Sequence, residues 1–263
     1  MKTKAQDGGK WGDLAPRVTS GVAMIVVGAA AIWAGGYIFV ALGVLIAGLM
    51  SWELVSMIRP GDKKGAVQEG VVAALALAIA LFVPGSVATI ILGVLLVVLV
   101  GRTGKHPLLT AGFGAGIFLG AYGLVTLRND AGLLLTLWLV GVVVITDVAG
   151  YFAGRIIGGP KFWPKVSPKK TWSGTVAGWI AAAALSWWMQ VQFGLPVWII
   201  AAGVGLSFAS QMGDAAESAL KRRLKIKDSS NLIPGHGGVM DRFDAMMGAS
   251  LAVTLAWIVA GLA

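Results

Sequence analysis

The sequence predicts an all-α, polytopic integral membrane protein with about nine transmembrane helices. Hydrophobic residues make up 57% of the 263 residues and charged residues only 13%, whereas an average soluble domain carries about 25% charged residues. The apolar residues come in blocks of about 15 to 22, close to the roughly 20 that cross a bilayer as a helix. A membrane β-barrel would need alternating segments of about 10 residues, and that alternation is absent.

Turn residues and charges divide the chain into nine apolar blocks. The blocks extend over 18–34, 36–52, 67–83, 86–101, 107–127, 131–153, 173–192, 196–212 and 244–262. We therefore expect a cytoplasmic tail and two transmembrane regions, with two long cytoplasmic loops in the second region. The tail is 1–17, the transmembrane regions are 18–130 and 131–263, and the loops are 154–172 and 213–243. The first two blocks are short, so a tight hairpin that does not span fully is an open alternative for them.

The basic residues test the number of crossings, because Lys and Arg accumulate in short cytoplasmic loops. With a cytoplasmic N-terminus and nine helices, 20 of the 21 Lys and Arg residues fall on the cytoplasmic side, and only Arg128 does not. This asymmetry predicts an odd number of crossings. It also explains the net charge of +9 without nucleic-acid binding. The chain has no cysteine, which excludes disulfides, thiolate metal sites and a thiol nucleophile.

The first polar constellation begins near the end of the sixth block. Asp147 lies inside an apolar segment, where an ionisable group costs at least about 2.5 kcal/mol and normally faces a polar cavity. An ion pair with Arg155 is the plainer interpretation. In the loop that follows, Ser167, Lys169 and Lys170 precede a new helix, whose N-terminus favours anions. This combination predicts phosphate binding, with attraction to anionic headgroups as the alternative.

The second constellation begins at the end of the eighth block. Asp214 and Ser218 are four residues apart and so share one face of a helix, and their oxygen atoms suit a hard cation such as Mg²⁺. After a basic run comes the sequence PGHGG, whose glycines let backbone N–H groups approach phosphate closely. Asp241 and Asp244 then open the last helix. We expect these acids to form a cation site, although simple neutralisation of the neighbouring Lys and Arg residues is the alternative.

These residues also carry a resemblance to a known family. The runs Ser218-x-Leu220-Lys221-Arg222 and Lys227-Asp228, followed by Pro234-x-His236-Gly237-Gly238-Val239-x-Asp241-Arg242-Phe243-Asp244, resemble the signature of phosphatidate cytidylyltransferases, also called CDP-diacylglycerol synthases. The upstream SPKKTW sequence is similar to the same family, and the resemblance covers the chain from about residue 140. Two positions depart from the family pattern: Ser173 stands where Glu is common, and Asp-Val-Ala-Gly-Tyr stands where Asp-Thr-Gly-Ala-Tyr is common.

The resemblance implies a multi-pass, dimeric enzyme of the bacterial inner membrane. Such an enzyme converts CTP and phosphatidate to CDP-diacylglycerol and pyrophosphate. It uses Mg²⁺, with a monovalent cation such as K⁺ as a second option. The lipid bilayer and the two substrates are thus the expected partners, and nucleic acid is not.

The reaction that the resemblance implies needs acidic oxygen atoms to hold a cation and basic groups to neutralise phosphate, which gives each candidate residue an expected role. The expected catalytic residues are Asp214, Asp241, Asp244 and Lys221. The expected cation ligands are Asp214, Asp241 and Asp244, with Ser218 as a fourth. The expected substrate-binding residues are Asp147, Ser167, Lys169, Lys170, Ser218, Arg222, Lys227, His236, Gly237, Gly238 and Arg242.

Two other functions stay open at this point. A CTP-dependent lipid kinase would also use CTP at a membrane, but it would leave CDP rather than pyrophosphate. A membrane transporter would explain intramembrane acids and glycine-rich helix packing, but it would not need PGHGG or the clustered cations of SPKKTW. The aspartate pattern of CDP-alcohol phosphotransferases is missing.

Overall fold

The computed structural model describes residues 14–260, and this range is built mainly from α-helices, as the sequence predicts. Its nine α-helices, counted within that range, are α1 (Leu14–Ala34), α2 (Gly36–Ile58), α3 (Lys63–Ala80), α4 (Gly85–Thr103), α5 (Pro107–Thr126), α6 (Gly132–Ile156), α7 (Trp172–Phe193), α8 (Trp198–Leu224) and α9 (Met240–Val259). A short π-helical turn, Leu127–Ala131, joins α5 to α6. An antiparallel hairpin of β1 (Lys161–Trp163) and β2 (Ser167–Thr171) precedes α7.

Five helical stretches of the described chain are long and apolar enough to cross a membrane. They are Pro16–Ala34, Gly36–Ile58, Gly85–Thr103, Pro107–Ile156 and Met240–Val259. The stretch Pro107–Ile156 has 50 residues and runs through α5, the π-helical turn and α6, whereas a single crossing needs about 20. The structure thus contains several candidate membrane spans, and the number nine stays a prediction.

Two predicted boundaries differ from the structure. Helix α1 begins at Leu14 rather than at residue 18, and residues 1–13 of the predicted tail, with Lys2, Lys4 and Lys10, lie outside the described residues. Helix α8 continues to Leu224, so the predicted loop 213–243 shortens to residues 225–239. The helix continues because the segment is rich in good helix formers and Lys221 pairs with Glu217 one turn earlier. It ends where Lys225 adopts a left-handed conformation, with φ 57°.

Buried apolar side chains form two large clusters. One cluster joins α2, α3, α4 and α5 around Leu54, Leu77 and Phe118, and the other joins α6, α7, α8 and α9 around Leu139 and Ile199. Many large apolar side chains instead point outward from the helices. Such an outward apolar surface is typical of helices in contact with lipid.

Two contacts join connections that the predicted topology places on the same side of the membrane. Arg59, after α2, donates to the carbonyl of Arg102 at the end of α4, at 2.8 Å. At the junction of α1 and α2, Arg128 donates to the carbonyls of Ile32 and Trp33, at 2.6 and 3.1 Å. Arg128 thus binds the α1–α2 junction, which the sequence predicts on the side of the membrane opposite the cytoplasm.

Helices α8 and α9 cross at a pair of glycines. A Cβ atom at Gly213 would overlap the carbonyl oxygen of Asp244 and would lie 3.1 Å from the Cα of Gly248. Small residues at such crossings let helix backbones approach closely. This close approach brings the end of α8, with Asp214, beside the start of α9, with Asp244.

Replacing Gly213 with alanine is expected to destabilise the protein by about 1–3 kcal/mol, because the added methyl group overpacks the crossing. Thermal unfolding in detergent should show a lower apparent melting temperature. Gly205→Ala is the matched control, since a Cβ on this same helix meets nothing within 4 Å. Equal melting temperatures for the two variants would contradict the close crossing.

Candidate functional site

A cavity of about 470 Å³ lies between α6, β2, the start of α7 and α8. Its lining residues come from both polar constellations of the sequence. They are Thr146, Asp147, Gly150, Tyr151, Gly154, Arg155, Lys169, Lys170, Thr171, Gly174, Thr175, Gln211 and Asp214. The structure therefore brings the predicted residues Asp147, Lys169, Lys170 and Asp214 together.

The hairpin and the start of α7 position Lys170. Thr171 pairs with Lys161 of β1 and caps α7, since its hydroxyl accepts from the N–H of Gly174 at 3.2 Å. One residue earlier, the Nζ of Lys170 lies 2.6 Å from the Oδ2 of Asp214 and donates to the carbonyl of Gln211 at 3.1 Å. This ion pair joins the two constellations directly.

Three aspartates from different helices face the same region. Asp147 of α6 interacts electrostatically with Asp214 of α8 and with Lys170. Asp244 of α9 interacts with Asp214 and with Lys221. Gathering like charges is unfavourable unless a cation or a proton compensates them. The alternative pairing of Asp147 with Arg155 is not among the ion pairs of the described residues; Arg155 instead donates to the Tyr151 hydroxyl at 2.6 Å.

Asp241, which the sequence places among the cation ligands, is engaged within the protein. Its Oδ1 lies 2.7 Å from the Nζ of Lys221. Its Oδ2 accepts from the Ser229 N–H, the Ser229 hydroxyl and the Gly238 N–H, at 2.9, 3.0 and 2.7 Å. With a side chain only 4% exposed, Asp241 orders the loop between α8 and α9.

The predicted cation ligands do not form a closed cage. Among residues 14–260, no group of three His, Cys, Asp or Glu side chains could hold a metal ion. Ser218 lies beside Asp214, with its Oγ 3.4 Å from the Oδ1 of Asp214. Mg²⁺ usually takes one or two carboxylates together with water and substrate phosphates. Asp214 and Asp244 fit that pattern, and their role as ligands stays a prediction.

Lys221 forms a buried ionic cluster with two acids. Its Nζ lies 2.5 Å from Glu217 and 2.7 Å from Asp241, and Glu217 is only 1% exposed. All three residues lie outside the predicted transmembrane block 196–212. Burial raises the pKa of the Glu217 carboxyl. Burial lowers the pKa of Lys221, but its bonds to Asp241 and Glu217 outweigh this, and the pKa is raised overall. Lys221 thus serves first as an internal ion-pair partner.

The glycine turn of PGHGG is held by α1. Gly235 and Gly237 adopt positive φ angles of 75° and 85°, which glycine tolerates best. The Nδ1 of His236 lies 2.7 Å from the hydroxyl of Ser20, and Arg242 donates to the His236 carbonyl at 3.0 Å. His236 therefore contacts α1 rather than lining the cavity.

Some predicted substrate-binding residues lie apart from the cavity. Arg222 and Lys227 are exposed at the end of α8 and in the following loop, and Ser167 lies on β2, half-buried. None of these three belongs to the cavity lining in the described part of the chain. Their contacts with substrate stay predictions.

Sequence reasoning missed several polar residues near the site. Gln211 donates to the Thr175 carbonyl at 3.2 Å and accepts from the indole of Trp179 at 3.0 Å, so it joins α7 to α8. Glu217, three residues after Asp214 on α8, was not among the expected site residues. Glu53 of α2 is not among the expected site residues either, although a charged residue at the end of an apolar block is a signal of function.

Comparison with known proteins supports the resemblance. A family described as "Cytidylyltransferase family" matches residues 15–260. A protein of Brucella suis biovar 1 (strain 1330), named "Phosphatidate cytidylyltransferase", is 43% identical over 154 residues, which is 54% of this chain and 55% of that protein.

Two further relatives carry the same name. The protein of Bacillus subtilis (strain 168) is 37% identical over 140 residues, covering 51% of this chain and 52% of its own. That of Staphylococcus haemolyticus (strain JCSC1435) is 41% identical over 123 residues, covering 46% and 47%. The chain spans about half the length of the curated relatives it matches. Since the family match extends over nearly the whole chain, this protein belongs to the cytidylyltransferase family.

Proposed function

We propose that this protein is a phosphatidate cytidylyltransferase, which makes CDP-diacylglycerol and pyrophosphate from CTP and phosphatidate for phospholipid synthesis. The cavity between α6 and α8 is the observation that carries the proposal. It places the ammonium of Lys170 against the carboxylate of Asp214, with Lys169 and Asp147 in the same lining. Membership of the cytidylyltransferase family supports the use of CTP.

The proposed reaction is a displacement at phosphorus. A phosphate oxygen of phosphatidate attacks the α-phosphorus of CTP, and a new P–O bond forms. The bond from the α-phosphorus to the oxygen that bridges to the β-phosphorus breaks, and that oxygen leaves with pyrophosphate. The attacking oxygen is already anionic, so the reaction needs no strong general base. The main barrier is repulsion between two polyanions, which positioning and charge neutralisation reduce.

Residues in the cavity lining and beside it would supply both positioning and charge neutralisation. Lys169 is exposed in the lining and is placed to bind phosphate oxygens, and Lys170 is held beside Asp214. Asp214 and Asp244 would hold Mg²⁺, with Ser218 beside Asp214, and K⁺ is the second cation that the resemblance implies. A bound Mg²⁺ would neutralise phosphate charge that the lysines leave uncompensated.

The cellular setting is also part of the proposal. We place the protein in the bacterial inner membrane as a multi-pass homodimer with nine crossings and a cytoplasmic N-terminus. The outward apolar surface and the candidate spans support the membrane setting. The near-complete gathering of Lys and Arg on one side supports the orientation.

The proposed function is tested with purified protein in mixed micelles containing labelled CTP, phosphatidate and Mg²⁺. We expect a labelled liponucleotide and one pyrophosphate per product. Diacylglycerol in place of phosphatidate is the control, because it lacks the attacking phosphate and should give no product. Release of CDP with phosphorylation of a lipid alcohol would instead identify a lipid kinase. Absence of CTP turnover in every lipid mixture would overturn the proposal.

A further inference from the structure

We propose that Glu53 of α2 is a positioning residue, which fixes the loop 225–239 and the start of α9 for the reaction. This inference rests on the proposed function. The side chain of Glu53 is fully buried, with 0% exposure. It lies at the end of an apolar block, far along the chain from the residues that it contacts.

The Glu53 carboxylate accepts four hydrogen bonds from one short segment. Its Oε1 accepts from the hydroxyl of Ser230 at 2.6 Å and from the N–H of Val239 at 2.8 Å. Its Oε2 accepts from the hydroxyl of Ser229 at 3.2 Å and from the N–H of Met240 at 2.7 Å. Each oxygen thus receives one hydroxyl and one backbone N–H.

These contacts explain how a carboxylate is tolerated at full burial. The first N–H groups of a helix have no partner within the helix, and Val239 and Met240 stand at the start of α9. The positive end of the helix dipole also favours an anion there. Glu53 therefore caps α9 from another helix, and α9 has no side-chain cap of its own at Val239.

The same contacts connect Glu53 to the candidate catalytic residues. The hydroxyl of Ser229 lies 3.2 Å from Glu53 and 3.0 Å from Asp241, so the two carboxylates share its single proton. Asp241 in turn binds Lys221. Asp244 follows Asp241 by about one turn of the same helix, so the position where α9 begins also determines the position of Asp244.

The close packing around Gly238 supports the positioning role of Glu53. A Cβ atom at Gly238 would overlap both the Ser229 hydroxyl and the Glu53 carboxylate. The backbone of the glycine turn therefore packs directly against Glu53. A small displacement of catalytic groups is enough to reduce a rate by about 10²-fold.

Glu53→Gln is the sharpest test, because glutamine keeps the shape but replaces one acceptor oxygen with an NH₂ group. A serine hydroxyl can rotate to accept from that group, whereas a backbone N–H cannot. In either orientation of the amide, one buried N–H loses its acceptor. We expect kcat per folded protein to fall about 10- to 100-fold, with the KM for CTP changed less than about threefold, since Glu53 is outside the cavity lining.

Ser230→Ala is the second variant, and it keeps the test decisive if Glu53→Gln does not fold. It removes one hydroxyl donor and leaves both backbone bonds to Glu53. We expect a smaller loss of kcat in the same direction, about two- to tenfold. In the double variant with Glu53→Gln, the losses should be less than multiplicative because both substitutions break the same contact.

Glu69→Gln is the matched control. Glu69 is also a buried carboxylate in the N-terminal half, 2% exposed, but it lies on α3 and binds Arg102 at 2.7 Å. We expect a lower melting temperature for this variant with kcat per folded protein unchanged. Equal kcat losses for Glu53→Gln and Glu69→Gln, or a wild-type kcat in Glu53→Gln, would overturn the inference.

Hydrogen exchange separates this inference from the proposed function. In the Glu53→Gln variant, the backbone amides of residues 225–240 should exchange at least about tenfold faster, since their local opening is easier. The amides of α6 and α7 should be unchanged and serve as the internal reference. If the wild-type protein does not turn over CTP, the proposed function fails while the exchange result still tests the contact. Unchanged exchange in 225–240 would refute the role of Glu53 in ordering the loop.

Discussion

Replacing Asp244 with asparagine is expected to lower kcat for CTP-dependent turnover by about 10³-fold while the protein stays folded. Asp244 lies where α9 crosses α8 and interacts electrostatically with Asp214 and Asp147. Asparagine keeps the shape of the side chain but removes the charge that would hold a divalent cation. It also relieves repulsion among three acids, so the melting temperature should be unchanged or higher. Turnover and thermal unfolding are measured on the same detergent preparation.

Asp62→Asn is the control for the Asp244 substitution. Asp62 accepts from the Gly65 N–H at 2.8 Å as the N-cap of α3 and pairs with Arg59 at the surface. Asparagine is also a good N-cap, and exposed ion pairs contribute little, so kcat should stay within about twofold of the wild type. A near wild-type kcat for Asp244→Asn at limiting Mg²⁺ would remove Asp244 from the cation site.

The sequence predicts helix type and order well because both depend on local patterns. Each apolar block predicted a helix, and the structure has an α-helix in the place of each one. The meeting of the two polar constellations was also predictable, since both were expected on the same side of the membrane. The ion pair of Lys170 with Asp214 confirms that they meet.

Contacts between distant residues were not predictable from local patterns. Glu53 binds residues 176 to 187 positions away, and nothing in its neighbourhood indicates that partner. Ser20 lies in the first apolar block, yet it contacts His236. A polar residue in an apolar block indicates that a buried partner exists, but tertiary packing decides which residue it is.

Asp241 and Asp244 both lie near the start of α9, as the sequence predicts, but they do not share one role. A carboxylate in the first turn of a helix can reach back to N–H groups before the helix. Asp241 does so with Gly238, while Asp244, one turn later, is past the reach of those groups. Capping therefore explains why Asp241 faces the loop, whereas Asp244 interacts electrostatically with Asp214.

Replacing Lys221 with methionine is expected to cause the largest combined loss of stability and activity. The ammonium lies between Glu217 and Asp241, and its side chain is 18% exposed. Methionine fills similar space but leaves two buried carboxylates without their cation, and breaking a buried pair in this way costs about 3–5 kcal/mol. The melting temperature should therefore fall, and kcat should fall with it because Asp241 no longer holds Ser229 and Gly238 in place. Thermal unfolding and CTP turnover measure the two effects.

The Lys221 prediction also has a definite dependence on pH. Burial already raises the pKa of the Glu217 carboxyl above its ordinary value of 4.5, and loss of the ammonium raises it further. A carboxyl with a raised pKa in the folded state favours folding at low pH and opposes it as pH rises. The stability loss in Lys221→Met should thus be smaller at pH 6 than at pH 8, and adding Glu217→Gln should recover part of it. Arg223→Met, at an exposed position on the same helix, should change stability by less than about 0.5 kcal/mol. An equal loss in the Arg223 and Lys221 variants would show that the buried cluster does not stabilise the end of α8.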